Sequence, residues 1–332
     1  MKNFDIDFVI LWVDGADPEW QKEKNHWSPG ADKSATAANR FRDWDNLRYW
    51  FRSVEKCTPW VRKIHFVTCG HLPPWLKEDN PRLHIVKHSD YMPAEALPTF
   101  SCNPLELNMH RIPDLAEHFV YFNDDMFVLR EIPRTFFFNE CGYPCDRAIQ
   151  TALQPDGSSL FGMRSADVSL INRHFSKRAC WRQNWRKYLS FHYGRELYRN
   201  VALFPWEKFT GFYDDHLPIA YRKETLKNVW SEEFDYLQSM NGRRFRQKDD
   251  LTNWVFRYWQ YAQGTFAPCA PRGKFIELSA AGSAAVAAAQ ISAARDPMVC
   301  LNDSDPVDFE SAKATLISAF EKLFPEKSSF EK

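Results

Sequence analysis

The sequence predicts an α/β fold built on a mostly parallel sheet, with a largely helical C-terminal half. Three observations predict it. An apolar run at 5–13 ends abruptly in Asp14-Gly15-Ala16-Asp17-Pro18, and a second at 119–122 ends in Asn123-Asp124-Asp125. Between these runs, segments of helical period alternate with short β-branched and aromatic stretches, the pattern of strands joined by helical crossovers. After about residue 155 the helical period dominates.

Taken in order, residues 5–13 (Asp-Ile-Asp-Phe-Val-Ile-Leu-Trp-Val) read as a buried first strand, closed by a strong turn signal. Residues 19–40 are polar and read as a mobile loop. Trp44, Leu47, Phe51 and Val54 recur at three- and four-residue steps, which predicts an amphipathic helix over 43–56. Residues 63–68 and 84–87 are short strands, with Pro73-Pro74 and Pro81 punctuating the loop between them. A helix over 104–118, interrupted by Pro113, leads into the strand before Asn123. Helices are predicted over 166–193, 215–228, 232–240 and 249–263, and an amphipathic one over 306–324. The Gly-, Pro- and Ala-rich stretch 264–297 reads as a flexible connector. These elements divide the chain into a nucleotide-binding core, 1–155, and a helical addition, 156–332, that closes over its mouth as one catalytic unit.

Composition narrows the function. At 332 residues the chain can bury one large core or two modest ones. Its formal net charge is zero, so no general field draws it to nucleic acid. The 13 Trp and 16% aromatic content suit sugar-contacting clefts, or simply an aromatic core. Eight Cys are scattered; Cys141 and Cys145 form one close pair, but no second pair or nearby His completes a zinc site. The thiols read as reduced, hence a cytosolic protein. No stretch reaches the roughly 20 apolar residues of a membrane span, and the N-terminus lacks the pattern of a signal peptide.

Chemistry concentrates at the strand ends. Two adjacent carboxylates near a core are costly unless a cation neutralises them. A divalent metal holding a phosphate does so, and hard oxygen ligands suit Mg²⁺ or Mn²⁺. An acidic surface turn is the plain alternative. Trp12-Val13-Asp14-Gly15 can bring a carboxylate and backbone donors to a nucleotide, although Asp-Gly is also an ordinary turn. Glu106 and His110 share a helix face beside Arg111, or else face solvent. His216, beside Asp214 and Asp215, can act as a general base or be structural. Residues 243–248 (Arg-Arg-Phe-Arg-Gln-Lys) can grip phosphate bidentately or form a solvated face.

The order of these patches resembles the Stealth family. These are sugar-1-phosphate transferases of bacterial capsular and cell-surface polysaccharides, and they include the catalytic core of the lysosomal-enzyme GlcNAc-1-phosphotransferase. Residues 7–18 look like its first conserved region. The second spans 40–129, with Arg40-Phe41-Arg42-Asp43, Leu47-Arg48-Tyr49, Pro59-Trp60-Val61 and the series from Glu106 through His110-Arg111-Ile112 to Asn123-Asp124-Asp125. His216 to Arg246 looks like the third. Cys300-Leu301-Asn302-Asp303 and the closing 324–331 look like the fourth. The Ala-rich 264–297 matches no motif.

The resemblance implies a glycosyltransferase-A or Rossmann-like sheet and transfer of sugar-1-phosphate from a UDP-sugar, of the UDP-GlcNAc type, to a saccharide hydroxyl, with UMP released. It implies catalytic roles for Glu106, Asp125, His216 and Arg246. Trp12, Val13, Asp14, Gly15, Arg42, Asp43 and Arg111 would contact substrate. Asp125 and Asp124, with Asn302 and Asp303, would hold Mg²⁺ or Mn²⁺. The partners implied are the UDP-sugar and a saccharide acceptor, lipid-linked in one version, and no nucleic acid. The enzyme would sit in the cytoplasm, with peripheral contact at the inner face of the membrane as one option. A metal-dependent phosphodiesterase and a non-catalytic carbohydrate-binding module are the rival readings.

Overall fold

The computed structural model describes residues 4–306 and 308–332, with the side chains of 33, 34 and 38 outside the description. Its strands are β1 (Ile6–Leu11), β2 (Ile64–Thr68), β3 (Leu83–Lys87), β4 (His118–Phe122), β5 (Met126–Val128), β6 (Cys145–Asp146), β7 (Ile219–Arg222), β8 (Ala267–Pro268), β9 (Gly273–Leu278) and β10 (Met298–Asp303). The central sheet has the order β3-β2-β1-β4-β7. β1 runs parallel to β2 and β4, and β2 parallel to β3. β7 closes the edge antiparallel to β4. The predicted α/β class is the observed one.

Strand alternation assigns each apolar side chain to a face. Ile6, Phe8, Ile10, Ile64, Phe66, Val120 and Phe122 enter one core, with Trp50, Phe51 and Val54 of the helix Leu47–Cys57. Val9, Val67, Val86, Phe119 and Tyr121 enter the other, with residues of the helices Ser159–His174 and Trp254–Gln263. Both faces are covered, which is why β1 reads as a continuous apolar run rather than an alternating one. Phe8 is fully buried; truncating such a residue to Ala typically costs about 3–5 kcal/mol. The charge within β1, Asp7, is buried too. Arg62 holds it bidentately, at 2.8 and 2.6 Å, with His65 at 2.9 Å and the Ala116 amide at 2.8 Å completing its acceptor sites.

Five segments depart from the sequence reading. The helix expected over 166–193 is two, Ser159–His174 and Lys177–Tyr188. Residues 19–40 are not a loop throughout: Asp17 caps the helix Pro18–Trp27, accepting from the Trp20 amide at 2.8 Å. The helix expected over 215–228 is divided, because Ile219–Arg222 is taken as the edge strand β7 before the helix Lys223–Glu232 begins. The helix expected over 104–118 stops early, as Cys102–Leu107, with a 3₁₀ turn Met109–Arg111 after it. The Ala-rich 264–297 is folded rather than a flexible connector. It supplies β9, parallel to β10, and the helix Ser283–Ala293, which packs on Phe309–Leu323. Small Ala side chains permit that close helix–helix approach. The tail helix expected over 306–324 is Phe309–Leu323; residue 307 lies outside the described residues.

The C-terminal strands bear on the carboxylate turn directly. After β4 the chain turns through Asn123-Asp124-Asp125 into β5, which pairs antiparallel with β10. The chain's last quarter is thereby brought beside the turn that follows β4.

Candidate active site

The carboxyl ends of β1 and β4 lie side by side, since the strands are parallel neighbours with Ile10 opposite Phe122. Ligands of open α/β sheets bind beyond such ends. After β1, Trp12 stays buried and stacks on Phe66 at 5.7 Å between centroids. Val13 joins a small cluster with Trp20, Phe41, Phe100 and Phe245. Gly15 is required there: a Cβ on it would lie 1.8 Å from the Phe41 carbonyl oxygen. That absence of a side chain lets the segment after Arg40 cross close to the β1 end, and Asp43 is carried in with it. The Asp14 carboxylate accepts from the Ala16 amide at 2.9 Å, and Asp43 accepts from the Asp45 amide at 2.8 Å.

Asp125 is anchored by its own backbone and by β10. Its carbonyl accepts from the Leu301 amide at 2.9 Å, and its Oδ2 accepts from the Cys300 thiol at 3.3 Å. Its Oδ1 is buried with no hydrogen-bond partner. A buried carboxylate oxygen left without a donor costs free energy unless a cation meets it. His216 reaches the same point. Asp125, His216 and Cys300 each bring a ligand atom within 4.8 Å of the others. His216 adopts a left-handed φ of 47° and lies edge-on to Phe275 at 5.7 Å.

The electrostatics agree with the geometry. Crowding by surrounding protein, then the charges of Asp125 and Asp43, pushes the Asp124 carboxyl up to about 7, although its side chain is exposed at the mouth. Burial, with Asp45 and Asp14 nearby, raises Asp43 as well. Burial and the neighbouring Asp125 push the Cys300 thiol well up, so it stays protonated and donates. The mouth therefore carries an excess of negative charge.

A second group lies behind it. Glu106 is buried and accepts from Tyr121 Oη at 2.7 Å and Asn253 Nδ2 at 2.6 Å. Tyr121 links the groups, since both Glu106 and Asp124 raise its hydroxyl above the ordinary range, after burial. Arg246 donates to Cys102 Sγ at 3.2 Å. Burial opposes its charge, but Cys102 and Glu106 more than compensate and raise it. Arg40 lies near enough to Arg246 for the two cations to repel, which, after burial, lowers Arg40. Arg246 also borders a cleft of about 550 Å³, beside Trp27, Asp32, Arg244 and Lys248.

The remaining candidates are engaged by other protein groups. Arg42 is engaged bidentately by Asp303, at 3.0 and 3.1 Å, and by Asp305 at 2.8 Å, while Trp44 Nε1 donates to Asp303 at 3.1 Å. Asp303 is thus neutralised by protein, and Asn302 donates to Ser304 Oγ at 2.8 Å. Arg111 stacks on Trp230 at 4.4 Å. Sequence reasoning gave no role to Cys300, although it begins the motif that contains Asn302. It also passed over Arg40 and Cys102. A thiol facing a carboxylate leaves no spacing signature.

The model of Stealth protein conserved region 1 matches residues 4–31, and that of conserved region 2 matches residues 40–146. The chain is 38% identical over 337 residues to the capsular polysaccharide phosphotransferase WcwK of Streptococcus pneumoniae, covering 100% of both. It is 38% identical to the exopolysaccharide phosphotransferase cps2G of Lactiplantibacillus plantarum, covering 99% of this chain and 97% of that one. Among solved structures, the galactosyltransferase LgtC in complex with donor and acceptor sugar analogs covers 94% of this chain at 9% identity, with a TM-score of 0.38.

Proposed function

This chain belongs to the Stealth family of polysaccharide phosphotransferases, and from that premise we propose that it transfers sugar-1-phosphate from a UDP-sugar of the UDP-HexNAc type to a saccharide hydroxyl, releasing UMP. The observation that carries this reading is the unpartnered, buried Oδ1 of Asp125 in the turn after β4, with His216 beside it. A carboxylate so placed fits a divalent cation. The donor set is mixed, however. Its thiol is softer than Mg²⁺ prefers, and its proton is engaged by Asp125. Asp125 Oδ1 and Asp124 are therefore the residues that would hold Mg²⁺ or Mn²⁺, with Cys300 orienting Asp125. The ion, when bound, neutralises the donor's diphosphate.

The protein's own groups divide the rest of the work. The β1 end, around Asp14 and Gly15, faces the nucleotide. His216 takes the proton from the attacking hydroxyl as its oxygen bonds to the sugar-bearing phosphorus. The bond between that phosphorus and the bridging oxygen breaks, and the electron pair leaves with UMP. Arg246 stabilises the charge on the transferring phosphoryl oxygens, and Arg40 adds a second cation. Glu106, locked by Tyr121 and Asn253, holds the Arg246 region in place. Positioning and charge stabilisation dominate such reactions. The product is a sugar-phosphate-sugar diester. All eight cysteines are free, which supports a reducing, cytoplasmic location.

The test is the nucleotide released. Incubation with UDP-GlcNAc, Mg²⁺ and a saccharide acceptor should yield UMP in step with diester. UDP with a glycosidic product would place the attack at the anomeric carbon and sink this reading.

A further inference from the structure

Residues 177–208 contain eight Lys and Arg against two Glu, in a chain whose acidic and basic residues balance at 43 each. The same segment exposes large apolar side chains: Phe191 is 91% exposed, Tyr198 61%, Phe204 55% and Trp206 54%. Soluble surfaces seldom gather rings this way without a partner.

The segment is not loosely attached. Asn200 is fully buried and donates to the carbonyls of Ala148, at 2.8 Å, and Tyr188, at 2.7 Å, while accepting from the Gln150 amide at 2.7 Å. These bonds fix one face of the helix Leu197–Leu203 to the protein. Tyr198 and Val201 are left outward, followed directly by Phe204, Pro205 and Trp206. Trp181 packs on Phe204 at 4.9 Å, and Lys177 Nζ donates to the Leu203 carbonyl at 2.5 Å, which ties the helix Lys177–Tyr188 to the same ridge. Around the rings, Arg178, Arg182, Arg186, Arg195 and Lys208 are exposed.

Exposed Phe rings beside Tyr and Trp, whose polar ends stay wet, interleaved with long cations, match the interfacial zone of a bilayer with anionic headgroups. A sugar would satisfy the rings but not the cations. The ridge also leads to the mouth: Arg199 and Arg147 each lie 5.7 Å from the Tyr213 ring, and Arg147 pairs with Asp215, next to His216.

We propose that residues 177–208 form a docking surface for an anionic lipid bilayer, which holds the mouth at the membrane. This goes beyond the proposed reaction and does not depend on the donor.

Sedimentation with vesicles tests it. Wild type should pellet with phosphatidylcholine vesicles containing a third phosphatidylglycerol, and stay in solution with pure phosphatidylcholine or at high salt. Phe204→Ser with Trp206→Ser should lower the bound fraction about tenfold or more with an unchanged melting temperature. If that pair destabilises the fold, Arg182→Gln with Arg195→Gln, which leaves the packing alone, decides instead. Failure of wild type to pellet, or equal pelleting of the variants, overturns the proposal. So does light scattering that shows a dimer dissociated by the same changes while vesicles bind nothing, since the ridge would then cover a second copy. None of these outcomes bears on whether UMP is released.

Discussion

Asp214 and Asp215 stand beside arginines, whereas Asp125, met by the very next residue, His216, and its neighbour Asp124 do not. In the first cluster Arg257 binds Asp146 bidentately, at 2.8 and 2.6 Å, and touches Asp214 at 3.1 Å and Asp215 at 3.4 Å. Arg164 adds to Asp214 at 3.2 Å, and Arg147 to Asp215 at 2.8 Å. Three carboxylates meet three guanidinium groups. Asp215 is held below the usual carboxylate range despite its burial, because Arg257 and Arg147 favour its charge. Asp214 is raised by burial even there, so what separates the second cluster is its partners: Asp124 is raised with only carboxylates beside it, and Asp125 Oδ1 has no donor. The difference teaches where to look for a ligand. Buried charges completed by protein serve the fold, and those left incomplete await something from outside.

The comparison is broken most severely by removing the incomplete charge. Asp125→Asn should lower turnover about 100-fold or more, a loss of about 3 kcal/mol of transition-state stabilisation, with the melting temperature unchanged or raised. Steady-state kinetics beside calorimetric melting checks both halves; a variant that is active without added metal would show that Asp125 is not a ligand. His216→Ala should follow, with a fall of about 10²-fold or more at nearly unchanged donor affinity. If donor binding is lost but the rate at saturation is kept, His216 is a binding residue.

The complete cluster should respond in the opposite currency. Arg257→Leu leaves three aspartates around an absent cation, and breaking a buried pair in this way costs about 3–5 kcal/mol. In a chain of this size that lowers the melting temperature by about 4–7 °C, and Mg²⁺ should not restore it.

A smaller effect sharpens the contrast through pH. A carboxyl raised in the folded state makes the native protein bind more protons than the unfolded one. Its contribution to stability therefore declines as pH rises from the ordinary carboxylate range through about 7. Asp124→Asn should raise the melting temperature in EDTA at pH 8 and change little at pH 4. An equal shift at both would remove Asp124 from the account. Smallest is Cys300→Ser, which keeps a donor to Asp125 and should alter turnover by less than about threefold; a large loss would make Cys300 itself a ligand.

How much of this was legible depended on what each residue answers to. The strands around Phe8 and Val120 were readable because full burial on both faces forces an unbroken apolar run. The edge strand β7 was not, since Ile219–Arg222 is short and its flanks continue a helical period. The stretch 264–297 misled because Ala and Gly look like linker until a helix partner, Phe309–Leu323, is known. In the site, Asp125 announced itself as a carboxylate at a strand end. The pairing of Arg42 with Asp303 could not, because 261 residues separate them. Arg111 and Trp230 are likewise remote in sequence and meet only after folding.

The claim that Asp125 Oδ1 lacks a protein partner among the described residues, and that the arginine cluster is complete, is tested most directly by Mn²⁺ binding. Paramagnetic resonance of Mn²⁺ titrated with the protein and UDP-GlcNAc reports the bound ion without requiring turnover. Wild type and Arg257→Lys should bind about one ion per chain, and Asp125→Asn should bind at least about tenfold more weakly. Equal binding by wild type and Asp125→Asn would contradict the account.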